Sequence, residues 1–154
     1  MGNQPALTET YQQHGVKFFY PADWTLEEQT SAEEIQVLVQ SPESAFWVLN
    51  LYFERPDLDE LIQSAVETYR NEYQEIDIDQ SEQTVGDHLS LAVDIEFLCL
   101  DLPNTAFIRT FVTDRFTVLI LAQYPGGETG TEAILHQMTQ SLRCEEDLLG
   151  FEEL

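Results

Sequence analysis

Apolar and polar residues alternate in short stretches along most of the chain, a pattern typical of half-buried β-strands. The first stretch, residues 16–20 (VKFFY), stops at Pro21, as expected at the end of a strand. Residues 46–53 (FWVLNLYF) are apolar at nearly every position, which predicts a central strand covered on both faces. The same reasoning predicts strands at residues 16–20, 35–40, 46–53, 75–85, 88–99, 105–113 and 116–123.

Two other stretches repeat their apolar residues at helical spacing. Asp57 is expected to cap the first helix, and Glu60, three residues later, completes a capping box. Thr129 and Glu132 form the same pattern at the start of the second helix. The apolar stripe of the first helix comprises Leu58, Leu61, Ile62, Ala65, Val66, Tyr69 and Tyr73. The stripe of the second comprises Ile134, Leu135, Met138 and Leu142.

The order of the predicted elements is β-β-β-α-β-β-β-β-α. The four consecutive strands between the helices are joined by short connections, so they must be antiparallel, because parallel pairing needs long crossovers. The expected turns lie at Gly86-Asp87, Pro103-Asn104 and Asp114-Arg115. We therefore predict an α+β fold, an antiparallel sheet of about six to seven strands packed by two main helices in an α/β/α sandwich.

The length of 154 residues suits one domain, and neither a repeat nor a change of composition divides the chain. We expect a single domain over 1–154 with its folded core at about 14–143. Residues 1–10 are interpreted as a loose polar arm. Residues 145–154 (EEDLLGFEEL) are interpreted as an acidic tail, either flexible or a short docking segment.

The charge is strongly one-sided, with 29 Asp and Glu against 6 Lys and Arg, a net charge of −23. Such a field repels nucleic acid and anionic lipid, and it favours basic proteins, cationic peptides and divalent cations. Solubility alone is an equally good explanation of the acidity. The chain has no signal-peptide pattern, no apolar run of the ~20 residues that span a bilayer, and two cysteines rather than a disulfide framework. These features favour a cytoplasmic protein.

The residues show no catalytic pattern. His14, His88 and His136 stand in no metal-binding spacing, and the GxSxG, GxGxxG and GxxxxGK motifs are all missing. His136 is interpreted as a helix-flank residue and Cys99 as a buried thiol. Gly126-Gly127 is interpreted as a flexible loop. The sequence therefore predicts no catalytic residue, metal site or cofactor, and hence a protein that is not an enzyme.

One group of carboxylates does stand out. A tight turn at Gly86-Asp87 would align strands 75–85 and 88–99 in a fixed register. That register places Asp79 opposite Asp94 and Asp77 opposite Glu96 on one face of the sheet. Like charges directly opposite each other cost up to ~1 kcal/mol per pair.

Asp77, Asp79, Asp94 and Glu96 are therefore a candidate binding patch. They could meet a basic partner protein or hold Ca²⁺. The plainer alternative is a hydrated sheet face that Arg109 or Arg115 from the following strands neutralises.

The two Trp, six Tyr and nine Phe exceed what a small core needs. One or two of these aromatic residues are therefore candidates to line an exposed groove. An apolar groove inside an acidic rim is how a chaperone would hold an amphipathic or cationic segment.

Residues 15–24 (GVKFFYPADW) resemble the F-x-Y-P-x-x-W opening strand and turn of the PsbP/Mog-type superfamily. The order of elements over residues 14–143 is similar too, including a closing helix that ends in Ser141-Leu142-Arg143. The resemblance implies an α/β/α sandwich and a mainly non-catalytic role. Such roles include extrinsic photosystem subunits, Ran-binding import factors, bacterial lipoproteins and chaperones for secreted effectors. No functional residue transfers position by position.

Two functions follow as hypotheses. The first is a cytoplasmic protein-binding module, a chaperone-like adaptor for a basic or apolar segment, with a homodimer left open. The second is a divalent-cation or small-ligand binder that uses Asp77, Asp79, Asp94 and Glu96. An enzyme of unfamiliar type has the least support.

Overall fold

The computed structural model describes residues 7–144, which form ten strands and two helices. The expected acidic tail at 145–154 and most of the expected arm lie outside these residues. The first five strands are β1 (Glu9–Gln13), β2 (Val16–Tyr20), β3 (Thr25–Thr30), β4 (Glu34–Gln40) and β5 (Phe46–Tyr52). The later strands are β6 (Asp77–Val85), β7 (His88–Cys99), β8 (Leu102–Val112), β9 (Thr117–Pro125) and β10 (Arg143–Cys144). The helices are α1 (Leu58–Glu72) and α2 (Thr129–Ser141).

Seven strands form one antiparallel sheet in the order β3-β4-β5-β9-β8-β7-β6, and a small sheet has the order β1-β2-β10. Helix α1 packs on one face of the large sheet through Ile62 and Tyr69. Helix α2 and the small sheet cover the other face, where Leu135 and Phe18 share a core with Trp47. The three layers confirm the predicted antiparallel α+β sandwich.

The α2 side of the sheet holds the larger core, as the burial of side chains on the interior strand β5 illustrates. Trp47 is fully buried on this side, and its indole N–H donates a hydrogen bond of 2.9 Å to Thr139 Oγ1 on α2. Coverage on the other side is weaker than predicted, because α1 packs over β7, β8 and β9. Phe46 and Val48 of β5 are consequently only half-buried.

The first predicted helix cap is confirmed and the second is wrong. The Asp57 side chain accepts a 3.2 Å hydrogen bond from the Glu60 backbone N–H, as expected for an N-cap. At α2 the cap position is Glu128, which makes no side-chain cap bond, and Thr129 is already the first helical residue. The predicted apolar stripes of both helices do face the core.

Three strands were not predicted from the sequence, namely β1, β3 and β10. Only Tyr11 of β1 is buried, and no residue of β3 is, so neither strand produces a clear alternation of apolar and polar residues. Glu9 and Thr10, expected in the loose arm, pair with Tyr20 and Phe19 in the small sheet. Neither α1 nor α2 is long and apolar enough to cross a bilayer.

The predicted turn at Pro103-Asn104 is wrong. Strand β8 begins at Leu102, and Cys99 pairs with Leu102, so the turn residues are Leu100 and Asp101. Both have positive φ, +54° and +65°. This conformation is rare for leucine, so a turn at this position could not be predicted from its residues.

Candidate functional site

The four predicted carboxylates lie together on one face of strands β6 and β7. The two-residue turn at Gly86-Asp87 is present, and Gly86 has the positive φ of +58° that such a turn requires. Asp79 pairs with Asp94 and Asp77 pairs with Glu96, in the predicted register. We call Asp77, Asp79, Asp94 and Glu96 the acidic face.

Arg109 of the neighbouring strand β8 neutralises one of these groups. Its Nη1 donates hydrogen bonds to Asp94 Oδ1 at 2.9 Å and to the Ile108 carbonyl at 3.0 Å. The guanidinium lies 4.9 Å from the Phe107 ring centroid, and Arg109 is only 7% exposed. The alternative that Arg109 neutralises a carboxylate of this face is therefore confirmed for Asp94.

The remaining carboxylates of the acidic face are not neutralised in this way. Asp77, Asp79 and Glu96 are exposed and form no ion pair with any residue of the described part of the chain. The sheet register keeps Asp79 beside Asp94 and Asp77 beside Glu96 on neighbouring strands. Three of the four carboxylates of the acidic face are therefore exposed and form no ion pair with a residue in 7–144.

Helix α2 supplies a wall beside the acidic face. The His136 ring stacks on Phe107, with centroids 4.4 Å apart and planes inclined by 11°. Burial lowers the pKa of His136 below its usual value, and the positive charge of Arg109 lowers it further. Glu132 and Asp94 oppose this shift. The ring lies at the helix flank, where the sequence placed it, and it packs as a neutral aromatic group.

Tyr124 of β9 links this wall to the sheet. Burial, followed by the negative charge of Glu132, raises the pKa of Tyr124 to about 12. Tyr124 is therefore protonated at neutral pH.

An open cleft of about 640 Å³ continues from the acidic face toward the β7–β8 turn. Asp77 and Glu96 line one side of it, and the exposed residues Leu98 and Pro103 supply apolar surface. The cleft therefore offers carboxylates and apolar side chains next to each other. We call it the β7–β8 cleft.

Gly126 closes the far side of this cleft and is more constrained than the predicted flexible loop. Its N–H donates a 2.9 Å hydrogen bond to the Pro103 carbonyl. A Cβ at Gly126 would lie 3.3 Å from both Cβ and the carbonyl oxygen of Pro103. A close approach of two backbone segments, which the sequence did not reveal, explains this glycine.

A second groove, of about 620 Å³, lies between α1 and the edge strand β6. Its floor contains the aliphatic side chains of Ile62, Val66, Ile78 and Val93. Its rim carries Asp59, Glu60, Glu67 and Arg70. Polar and charged residues supply most of the exposed lining of this groove, and no aromatic residue lines it, so it differs from the apolar groove that the sequence predicted. Large aromatic side chains such as Phe18 and Trp47 are buried in the core.

The geometry of the acidic face differs from that of a typical calcium site. Over residues 7–144, no group of three or more His, Cys, Asp and Glu side chains is arranged to hold a metal ion. The carboxylates stand side by side on a sheet, whereas Ca²⁺ needs oxygen ligands that surround it.

The α/β/α sandwich is similar in fold to solved structures that include the protein Mog1. The sequence itself matches no protein-family model and no curated protein. The E65A mutant of the protein Mog1 has a TM-score of 0.57 and 12% identity, over 92% of this chain and 97% of that chain.

Two further solved structures show the same fold. LpqN of Mycobacterium tuberculosis, involved in cell envelope biogenesis, has a TM-score of 0.51 and 11% identity, over 82% of this chain and 81% of that chain. A protein of Bacteroides thetaiotaomicron VPI-5482 has a TM-score of 0.59 and 12% identity over 90% of this chain. The match spans only 49% of the Bacteroides chain, about half its length. At such identities the similarity establishes the fold alone.

Proposed function

We propose that this chain is a non-catalytic protein-binding module of the Mog1/PsbP type, which holds a basic or amphipathic segment of a partner protein against its acidic face. The observation that carries the proposal is the set of exposed, unpaired carboxylates Asp77, Asp79 and Glu96. Lys or Arg side chains of a partner would relieve the repulsion between the facing carboxylates, which costs up to ~1 kcal/mol per pair.

The β7–β8 cleft supports an amphipathic partner rather than a purely basic one. It places the exposed apolar residues Leu98 and Pro103 beside Asp77 and Glu96. A segment with both Lys or Arg and apolar side chains would satisfy both parts of this surface. A chaperone-like adaptor acting in the cytoplasm is the role that we assign to such a module.

The net charge of −23 supports a protein partner over nucleic acid or an anionic membrane. Both of these carry dense negative charge, which the acidic face would repel. A homodimer through the acidic face is disfavoured for the same reason, since two such faces repel each other.

A divalent-cation or small-ligand binder using the acidic face is the second candidate. The facing pair Asp79 and Asp94 is the observation in its favour, although Arg109 already occupies Asp94. It predicts that Ca²⁺ raises the melting temperature and that Asp79→Asn abolishes the rise. An unchanged melting temperature in millimolar Ca²⁺ would eliminate the calcium form of this candidate.

Affinity capture with the full chain as bait tests the protein-binding proposal. The test variant combines Asp77→Asn, Asp79→Asn and Glu96→Gln. The matched control combines Glu27→Gln, Glu33→Gln and Glu43→Gln, three exposed acids near the opposite edge of the sheet. Both variants lose three negative charges, so they differ only in where the charge is lost.

We expect wild-type chain and control to retain the same dominant partner at low salt and to lose most of it at high salt. The acidic-face variant should lose it at both. Equal capture by all three baits would contradict the proposal, because charge at this position would then not contribute to binding.

A further inference from the structure

The turn between β7 and β8 exposes three leucines at the edge of the molecule. Leu98, Leu100 and Leu102 are 36%, 92% and 65% exposed. Strand β6 pairs with β7 only as far as Glu96, and β9 pairs with β8 only from Asn104. The hairpin therefore extends beyond its neighbouring strands, and we call residues 98–102 the leucine hairpin.

Neither local conformation nor burial accounts for a leucine at position 100. The residue has a φ of +54°, in the left-handed region that glycine favours and leucine rarely adopts. Its side chain is almost wholly exposed, so it contributes little to the core of this chain. An exposed apolar side chain held on a strained turn is typical of a contact point for another molecule.

The surroundings of the leucine hairpin are acidic on both sides. The β7–β8 cleft on one side is lined by Glu75, Asp77 and Glu96. A cleft of about 420 Å³ on the other side is lined by Glu72, Glu75 and Asp101. Neither set of lining residues includes a Lys, an Arg or a His. The occupant that complements this surface is therefore apolar and cationic at once.

We propose that the leucine hairpin is the apolar anchor for an amphipathic, cationic helix of a partner protein. The apolar side of that helix covers Leu98 and Leu100, and its Lys or Arg residues face the carboxylates of the β7–β8 cleft. Leu102 pairs with Cys99 and therefore lies on the opposite face of the hairpin from Leu98. This proposal rests on the proposed protein-binding function and names the structure of the bound segment. An anionic membrane is disfavoured, because the flanking carboxylates would approach its headgroups.

The experiment uses the full chain and a fluorescein-labelled helical peptide of about 18 residues, with Leu on one face and Lys on the other. The test variant is Leu100→Gly, since glycine adopts a positive φ without strain and leaves the turn intact. The control is Leu89→Gly, which removes a 67% exposed leucine at the other end of the same strand. Fluorescence anisotropy measures the Kd, and thermal melting confirms that each variant is folded.

We expect Leu100→Gly to raise the Kd about tenfold or more, because it removes a central apolar anchor. Leu89→Gly should leave the Kd unchanged, and a peptide with Ser in place of every Leu should not bind. An unchanged Kd for Leu100→Gly, equal binding of the Ser peptide, or no binding of the peptide to the wild-type chain would each overturn the proposal.

Two other occupants give distinct results. In the first, the wild-type chain sediments with phosphatidylcholine or phosphatidylserine vesicles and Leu100→Gly does not. The leucine hairpin would then bind a membrane rather than a helix. In the second, the wild-type chain is a dimer and Leu100→Gly is a monomer. The leucine hairpin would then bind a second copy of the chain. Either result would overturn the proposal.

Failure of this proposal can be told apart from failure of the proposed function. If neutralising Asp77, Asp79 and Glu96 abolishes peptide binding while Leu100→Gly does not, the acidic face binds a partner without the hairpin. If only Leu100→Gly weakens binding, the hairpin remains the anchor and the acidic face loses its role.

Discussion

Arg109 and Asp94 form an ion pair of 2.9 Å in which the two partners are unequally buried: the Arg109 side chain is 8% exposed and that of Asp94 is 46% exposed. Asp94 thus provides the counterion for a buried cation, while Asp79, directly opposite on β6, does not take part. The acidic face therefore combines one carboxylate that stabilises the fold with others that the fold does not use.

This division predicts opposite effects of two similar substitutions. Asp94→Asn should lower the free energy of unfolding by about 1–2 kcal/mol, because it leaves Arg109 buried without a counterion and half-exposure of Asp94 limits the loss. Asp79→Asn should raise it by up to ~1 kcal/mol, because a like-charge repulsion disappears. Urea denaturation at low salt measures both. Equal destabilisation by the two variants would contradict the assignment.

His136 should make the stability of the fold depend on pH. Its pKa in the folded chain is lowered by burial and by Arg109, despite the opposing carboxylates of Glu132 and Asp94, from an ordinary value of 6.5. The unfolded chain therefore binds the proton more readily. Stability from this group is complete above pH 6.5 and declines as the pH falls through the folded pKa.

His136→Gln should remove that part of the pH dependence. The difference in unfolding free energy between wild-type chain and variant, followed from pH 8 downward, isolates His136 from the other histidines. NMR titration of the His136 ring should give a midpoint below 6.5. A midpoint above 6.5 would show that the carboxylates, rather than burial and Arg109, dominate the environment of the ring.

The leucine hairpin should become more stable when its turn residues are replaced with glycine. Leu100 and Asp101 each have positive φ, which costs about 1–2 kcal/mol for an L-residue. Replacement with glycine removes this cost, but the greater freedom of glycine in the unfolded chain offsets about half of the gain. Leu100→Gly should therefore raise the free energy of unfolding by about 0.5–1 kcal/mol. Calorimetry should show a rise in Tm of about 2–4 °C for 1 kcal/mol.

Leu89→Gly is the control for this effect. Leu89 is also exposed but lies within strand β7, where glycine is unfavourable, so the variant should lose about 0.5–1 kcal/mol. A fall in Tm for Leu100→Gly comparable with that of Leu89→Gly would show that Leu100 packs against the chain.

The buried contact between Trp47 and Thr139 should stabilise the central core. Thr139→Val keeps the shape of the side chain but removes the acceptor of the indole N–H, which leaves a buried donor unpaired. We expect a loss of about 1–3 kcal/mol. Thr68→Val is the matched control, because the Thr68 hydroxyl also donates to a helix carbonyl, that of Ser64, but is exposed. This control should change the free energy of unfolding little. Equal effects in urea denaturation would contradict the importance of the Trp47 contact.

The β6–β7 register could be predicted because Gly86-Asp87 has the chemistry of a tight turn, and the register then determined which carboxylates face each other. The β7–β8 turn could not be predicted. Leu100-Asp101 has no turn chemistry, whereas Pro103-Asn104, three residues later, does, although Pro103 in fact pairs with Leu98. The exposed leucines were consequently missed.

Contacts between residues far apart in the chain also could not be predicted from the sequence. A Cβ at Gly126 would lie close to Pro103, and no local sequence pattern reveals that contact. Strand β1 contributes only Tyr11 to the core, so its residues show no period. Arg109, by contrast, was recognised as a candidate to neutralise the acidic face because it lies on a neighbouring strand.

The central claim is that a partner protein binds across the acidic face and the leucine hairpin. Hydrogen–deuterium exchange of the chain, alone and with its captured partner, tests it most directly because it reports the covered backbone. The account predicts slower exchange over residues 77–80 and 94–102 and no change over residues 25–40. Protection confined to residues 25–40, with the acidic face unaffected, would contradict it.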